Sequence, residues 1–273
     1  METLYQDLFI TLTLNELFIR LMFGAVIGFC LGLTGVGGGV LIIPILQLAF
    51  GMNPVLAVGT ASVISSLVKV NAAISHVVAK NVSWKEVSYV LMGAVPVTFA
   101  ITEVIVRLTA NPKYNSMINS VVEVLIISIM SFALASMIIK LRKSKSGVEA
   151  TEVKGDNKVK GISSGAACGA IIGSTGVGGG VLILPTLNSI LGVDIKRSVG
   201  SSIVIALVLS GISAIKYSSG GQSDIATALV LVAGSFIGVP LAVRVVKNIT
   251  DSGMYMVSIA IISISLFMTL IGM

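Results

Sequence analysis

Apolar residues in this chain run in long stretches, such as Val55 to Val78 and Ser116 to Ile139, separated by short polar breaks. A helix needs roughly 20 apolar residues to cross the hydrocarbon core of a bilayer, and most of these runs reach that length. The pattern predicts eight helical segments in two sets of four: about 17–50, 54–79, 86–108 and 116–140, then 161–191, 196–216, 224–246 and 253–272. Segment 17–50 is too long for one crossing, and four glycines lie between Gly35 and Gly39. Glycine has no Cβ and loses the most entropy in a helix, so a cluster of glycines favours an unwound turn. Two shorter helices meeting at a turn inside the membrane are expected there. The one long polar stretch, Leu141 to Lys160, divides the chain into a first membrane repeat (1–140), a linker (141–160) and a second membrane repeat (161–273).

The two sets are copies of one another. GLTGVGGGVLIIPIL (Gly32 to Leu46) returns as GSTGVGGGVLILPTL (Gly173 to Leu187), an offset of 141 residues. Without a gap, the same offset pairs Gly24 with Gly165, Gly28 with Gly169, Gly51 with Gly192, Gly59 with Gly200, Ala73 with Ala214 and Gly93 with Gly234. Internal repeats over such a length are a signature of transporter folds.

Composition agrees with a membrane solvent. The 273 residues are 55% hydrophobic and 11% charged, with a mean hydropathy of +1.03; a soluble domain carries about 25% charged residues. The net charge of +6 does not point to nucleic acid, because seven of the 18 Lys and Arg fall between Lys140 and Lys160. That clustering is the basic cytoplasmic loop of the positive-inside rule, and no folded polar surface surrounds it to make a nucleic-acid patch. The first 20 residues lack a basic n-region and carry Glu2, Asp7 and Glu16, so they do not read as a cleavable signal. Cys30 and Cys168 are too few for a disulfide framework.

Charge also arbitrates topology. If each interrupted segment is a hairpin that leaves and returns on one side, each repeat crosses three times and the second repeat is inverted. With the linker inside, 13 Lys and Arg then lie inside and three outside. If the segment crosses once, the repeats are parallel and the count falls to ten against six. Counting Arg20 as well gives 13 to four and 11 to six. The inverted arrangement separates charge better. The expected fold is therefore an all-α, polytopic membrane protein of two inverted repeats, each a re-entrant or broken helix pair plus three transmembrane helices. It places the N-terminus outside, the linker inside and the C-terminus outside.

The candidate chemistry sits at the two TGVGGG turns. Helices starting near Val40 and Val181 would point their N-termini toward mid-membrane, offering unpaired N–H groups and about half a positive charge. Successive glycines let such N–H groups curl around an oxyanion. The candidate residues are Gly35, Gly37, Gly38 and Gly39 with Thr34, and Gly176, Gly178, Gly179 and Gly180 with Thr175. Pro44 and Pro185 are expected in or near the first turn after each break, where a missing N–H costs least. Glycines can also serve only close helix packing, and that is the reading for Gly24 and Gly28. GVGGGV lacks the Lys-Ser/Thr ending of a P-loop and the spacing of a dinucleotide fingerprint. In the next span, the stretch Gly59-Thr60-Ala61-Ser62 matches Gly200-Ser201-Ser202 in the other repeat, offering Thr60, Ser62, Ser201 and Ser202 as hydroxyls. These hydroxyls either line one site beside the turns or bond back to their own helices. Lys69 lies inside a span, where an ammonium is expensive and usually functional unless it snorkels outward. His76 is the one histidine and a candidate for proton coupling. Glu103 and Glu123 read as mouth residues. Cys30 lies near the first turn, but Cys168 is not at its matching position, and a small apolar filler is the simpler role for both.

The duplicated G-x-T-G-x-G-G-G turn, the Gly-Thr/Ser pair after it, and His76 followed by Asn81-Val82-Ser83-Trp84 resemble the sulfite exporter TauE/SafE family of membrane permeases. The resemblance covers nearly the whole chain. It implies movement of a sulfur-containing anion such as sulfite, thiosulfate or an organosulfonate across a cytoplasmic membrane. One departure is that the family's Gly-Thr-Ser is Gly-Thr-Ala-Ser here in the first repeat and Gly-Ser-Ser in the second, which bears on substrate preference. A membrane-embedded enzyme would need a cluster of His, Cys or carboxylates, which one histidine and no mid-membrane Asp do not supply. No cofactor is expected; the expected partners are a small anion, lipid and a coupling proton or sodium ion. A passive anion channel could use the same turns.

Overall fold

The computed structural model describes residues 14–34, 39–145, 157–176, 182–246 and 251–271. They form helices α1 (Leu14–Thr34), α2 (Gly39–Phe50), α3 (Pro54–Val78), α4 (Trp84–Ala110), α5 (Pro112–Lys145), α6 (Asn157–Thr175), α7 (Ile195–Ser219), α8 (Ile225–Val246) and α9 (Asp251–Ile271). Between α6 and α7 the chain is mostly π-helical over 182–190. No strand occurs among the described residues. Six helices are long and apolar enough to cross a membrane, while Val40–Phe50 and Met256–Ile271 are shorter apolar helices. The outer surface carries Phe18, Met22, Met92, Phe132 and Phe267, each more than half exposed, whereas a run of Ser and Thr hydroxyls lies buried inside. This inside-out distribution belongs to a multi-pass integral membrane protein.

The local sequence explains most element ends. Asn53 caps α3 by accepting from Leu56 N, with Pro54 behind it, and Asp194 caps α7 by accepting from Lys196 N and Arg197 N. Gly51 and Gly192, at matching positions, take φ of 63° and 67° and turn the chain between elements. Around the two glycine clusters, α1 stops at Thr34 and α2 begins at Gly39, and α6 stops at Thr175; the glycines between these bounds lie outside the described residues. Pro44 falls inside α2, a turn deeper than expected from sequence, so its missing N–H leaves one intrahelical bond unmade. The polar stretch is helical at both margins, since α5 runs to Lys145 and α6 begins at Asn157.

Small residues set which helices touch. A Cβ on Gly24, Gly28 or Gly32 would fall 2.3–2.6 Å from Leu231 O, Ser235 O or the Ala242 side chain. A Cβ on Gly165, Gly169 or Gly173 would fall 2.2–3.2 Å from Val90 O, Ala94 O or Thr98 O. Thus α1 runs parallel to α8, and α6 parallel to α4, the equivalent pair with the two repeats exchanged. Gly59 at the start of α3 packs on Tyr217 and Gln222 at the end of α7, and Gly200 packs on His76 and Asn81 at the end of α3. Helices α3 and α7 occupy the same place in the two repeats and run in opposite directions.

Two further bonds complete the directions. Ser201 meets Ser83 at the start of α4, and Thr60 meets Asp224 at the start of α8. So α1, α3 and α8 share one direction, and α4, α6 and α7 the other. Because α1 and α3 are parallel, the chain returns between them along α2, and α1–α2 forms a hairpin. At 12 residues α2 is only about 18 Å long, short of the roughly 30 Å hydrocarbon core. The same directions gather Lys80, Lys85, the ends of α5 and α6 that flank the linker, Lys196, Arg197 and Arg244 at one end of the bundle, called here the basic end.

Candidate functional site

The glycines at the heart of the first turn, Gly35, Gly37 and Gly38, and Gly178, Gly179 and Gly180 of the second, lie outside the described residues. Thr34 and Gly39 mark the helix ends around the first turn. The second turn is seen at its entry. Thr175 is buried, its hydroxyl donating to Ile171 O at 2.6 Å, and Gly176 takes a φ of 62°. A Cβ on Gly176 would lie 3.3 Å from Val58 O and 3.4 Å from Ser62 Oγ. Gly176 therefore rests against the first turns of α3, in the other repeat, and off the middle of the bundle toward the end opposite the basic one. Ser62 is buried and spends its proton on Val58 O at 2.8 Å, leaving oxygen lone pairs as its remaining capacity.

The hydroxyls after the turns form two clusters instead of one. Thr60 and Ser62 begin α3, Ser201 and Ser202 begin α7, and the helices are antiparallel with Gly59 and Gly200 packed on each other's far ends. Eighteen helical positions from Thr60 to Val78 separate the clusters by roughly 27 Å. The expectation that all four line one pocket is corrected by this direction. Thr60 Oγ1 donates to Leu56 O at 2.8 Å and accepts from Asp224 N at 2.9 Å. Ser201 Oγ accepts from Ser83 N at 2.8 Å, and Ser202 Oγ donates to Val199 O at 2.8 Å. Asp224 and Ser83 are themselves 141 residues apart, as are Thr60 and Ser201. Each repeat thus uses the hydroxyl after its conserved-spacing glycine to hold the start of a helix in the other.

Lys69 stands between these clusters, partly buried in α3, with Nζ donating to Ser65 Oγ. His76 lies in the last turn of α3, and its Nδ1 is buried with no hydrogen-bond partner. Glu103 is tied across the repeats: it accepts from Lys216 Nζ at 2.7 Å and from Arg107 Nε at 2.6 Å, and Lys216 Nζ lies 3.9 Å from the Phe99 ring centroid. Glu123 is partly buried in α5. Cys168 is buried with Sγ 3.7 Å from Thr186 Oγ1, and Cys30 is partly exposed. Among the described residues no group of His, Cys, Asp and Glu could hold a metal ion.

One residue was overlooked in the sequence. Tyr217 is fully buried, and its hydroxyl donates to Gly173 O at 2.8 Å, in the last turn of α6 before the second glycine turn. The repeat offset carries His76 onto Tyr217, so the signal was present.

The two ends differ. At the basic end a polar cavity of about 500 Å³ is lined by Ser83, Glu86, Leu191, Asp194 and Arg197, among others. The equivalent place at the opposite end is occupied: Arg20 Nη1 donates to Thr227 Oγ1, which donates to Asp224 Oδ2, and the Arg20 guanidinium lies 5.6 Å from the Phe50 ring centroid. Gly161 and Leu191 stand where Arg20 and Phe50 would be needed at the basic end.

Comparison with known proteins agrees with this architecture. The model of the family described as sulfite exporter TauE/SafE matches residues 20–269. The chain is similar to a probable membrane transporter protein, YjnA, of Bacillus subtilis (strain 168), with 26% identity over 90% of this chain and 96% of that one. It is also similar to a probable membrane transporter protein of Xylella fastidiosa (strain 9a5c), with 24% identity over 83% of this chain and 84% of the other. No solved structure matches. Helix breaks, hydroxyl clusters and the matched span of residues 20–269 lead to one assignment: the chain belongs to the TauE/SafE family of membrane transporters.

Proposed function

We propose that this protein is a secondary transporter of the cell membrane that exports a small sulfur-containing anion such as sulfite, thiosulfate or an organosulfonate by alternating access. The anion is held at the glycine turns: by N–H groups of Gly35, Gly37, Gly38 and Gly39 beside Thr34, and of Gly176, Gly178, Gly179 and Gly180 beside Thr175. The observation that supports this reading is that α1 ends at Thr34 and α2 starts at Gly39 and returns along it, together with Gly176 against the buried Ser62 hydroxyl. Open helix ends in a bilayer are tolerated where they line a polar path.

The two repeats insert in opposite orientation. Supporting this are the antiparallel α3 and α7 and the collection of basic residues at one end, which the positive-inside rule places in the cytoplasm. The two hydroxyl clusters then belong to two half-sites, one nearer each face, with Lys69 between them as the central positive charge. Export is electrically downhill for an anion, since a membrane potential is worth about 2.3 kcal/mol per charge per 100 mV. Import would need a coupled proton or sodium ion, for which His76 is the candidate carrier of a proton.

Purified protein in liposomes tests the proposal. Saturable sulfite flux with counterflow is expected, and flux that rises linearly without counterflow would favour a channel. Gly38→Val and Gly179→Val should each abolish flux and the rise in melting temperature on adding sulfite. Active glycine variants would reduce the turns to packing devices.

A further inference from the structure

We propose that Tyr217 is a positioning residue at the entry to the second glycine turn: its hydroxyl clamps the Gly173 carbonyl and so fixes the end of α6 and the approach to Gly176. This rests on the reading that the turns hold the anion. The last carbonyls of a helix lack intrahelical partners, and α6 ends at Thr175. Of these carbonyls, Ile172 O accepts from Gly176 N at 2.8 Å, and Gly173 O accepts from Tyr217 Oη at 2.8 Å. The donor comes from α7, so the broken end of α6 is fastened to a neighbouring helix within its own repeat. Tyr217 has no exposed surface, so water does not compete for the bond. Room for the ring is made by the other repeat, because a Cβ on Gly59 would lie 2.8 Å from Tyr217 Cβ.

The repeat offset sharpens the argument. The same offset makes His76 the counterpart of Tyr217 and Gly32 the counterpart of Gly173. His76 packs on Gly200 as Tyr217 packs on Gly59, yet its buried Nδ1 has no partner. The clamp has been kept in one repeat and not the other. The end of α6 is accordingly fastened by a side-chain donor from α7, whereas His76 supplies no such bond to α1.

Hydrogen–deuterium exchange on the full-length purified protein tests this, comparing wild type with Tyr217→Phe. Exchange in peptides covering 170–182 should accelerate about tenfold, with peptides of α1 and α8 unchanged. In liposomes the half-saturating sulfite concentration should rise about five- to tenfold with maximal flux within twofold. Equal exchange in 170–182, or uniform acceleration along the whole chain, would overturn the proposal. So would faster local exchange with an unchanged half-saturating concentration. If Tyr217→Phe does not accumulate, a ring-fluorinated tyrosine placed at 217 alone keeps the shape and strengthens the donor; slower exchange in 170–182 is then expected, and no change overturns the clamp. Should wild-type protein move neither sulfite, thiosulfate nor sulfoacetate, the transport reading fails, while the exchange measurement still decides the role of Tyr217.

Discussion

Lys69 shows how a single residue can be placed by sequence and given its surroundings by structure. Its position inside a span was readable, but the Ser65 hydroxyl that receives its ammonium was not, although the i, i+4 spacing allows such a contact. Ser65 lies toward the half-site at the start of α3, so the charge leans to that side. Replacing Lys69 by Met keeps volume and removes charge. A charge-assisted hydrogen bond contributes about 1–3 kcal/mol, so sulfite affinity should weaken about five- to 150-fold with little change in melting temperature. Unchanged affinity by calorimetry would leave Lys69 as a snorkelling residue. Gly24 is a contrasting case. Its missing Cβ accommodates Leu231 O at 2.3 Å, and backbone cannot step aside cheaply. Gly24→Ala should therefore lower stability by about 1–3 kcal/mol as overpacking does, read as a lower melting temperature. The stabilisation on adding sulfite should persist.

Among the elements, the spans and the helix ends at Thr34 and Thr175 were legible because hydrophobic run length and glycine clustering act locally. The relation between α3 and α7 was not legible. Thr60 and Ser201 look alike in sequence, and only the opposite directions of their helices put them at opposite ends. Their bonding partners, Asp224 N and Ser83 N, lie 164 and 118 residues away, and no local pattern announces them. Each bond satisfies a backbone donor at the start of a helix, and leaving such a donor unpaired costs about 1–3 kcal/mol. Thr60→Val and Ser201→Ala should each destabilise the protein by that amount in a denaturation series. Because roughly 27 Å separates the two sites, the double variant should show the sum within about 0.5 kcal/mol. A coupling energy well above that would return the two hydroxyls to one shared pocket.

For the molecule as a whole, the basic end is the one the positive-inside rule expects in the cytoplasm. Single cysteines at Thr3, Gly155 and Gly272 should label from outside, inside and outside respectively, and labelling of all three from one side would restore parallel repeats. The inequality of the two ends reaches further. At the opposite end α4 and α7 are joined by Glu103 and Lys216, and Arg20 fills the place that is a cavity at the basic end. The counterparts of Glu103 and Lys216 are Arg244 and Ser75, which cannot form such a pair. A partly exposed, solvent-screened ion pair changes such an equilibrium only modestly, by up to about fivefold. Glu103→Gln should accordingly increase maleimide labelling, from the outer side, of a cysteine at Ser62 by up to that factor, and equal labelling would show that the pair holds nothing shut. Under the proposed export reading, this inequality of the two ends would leave the empty protein waiting for its anion with the open cavity on the basic side.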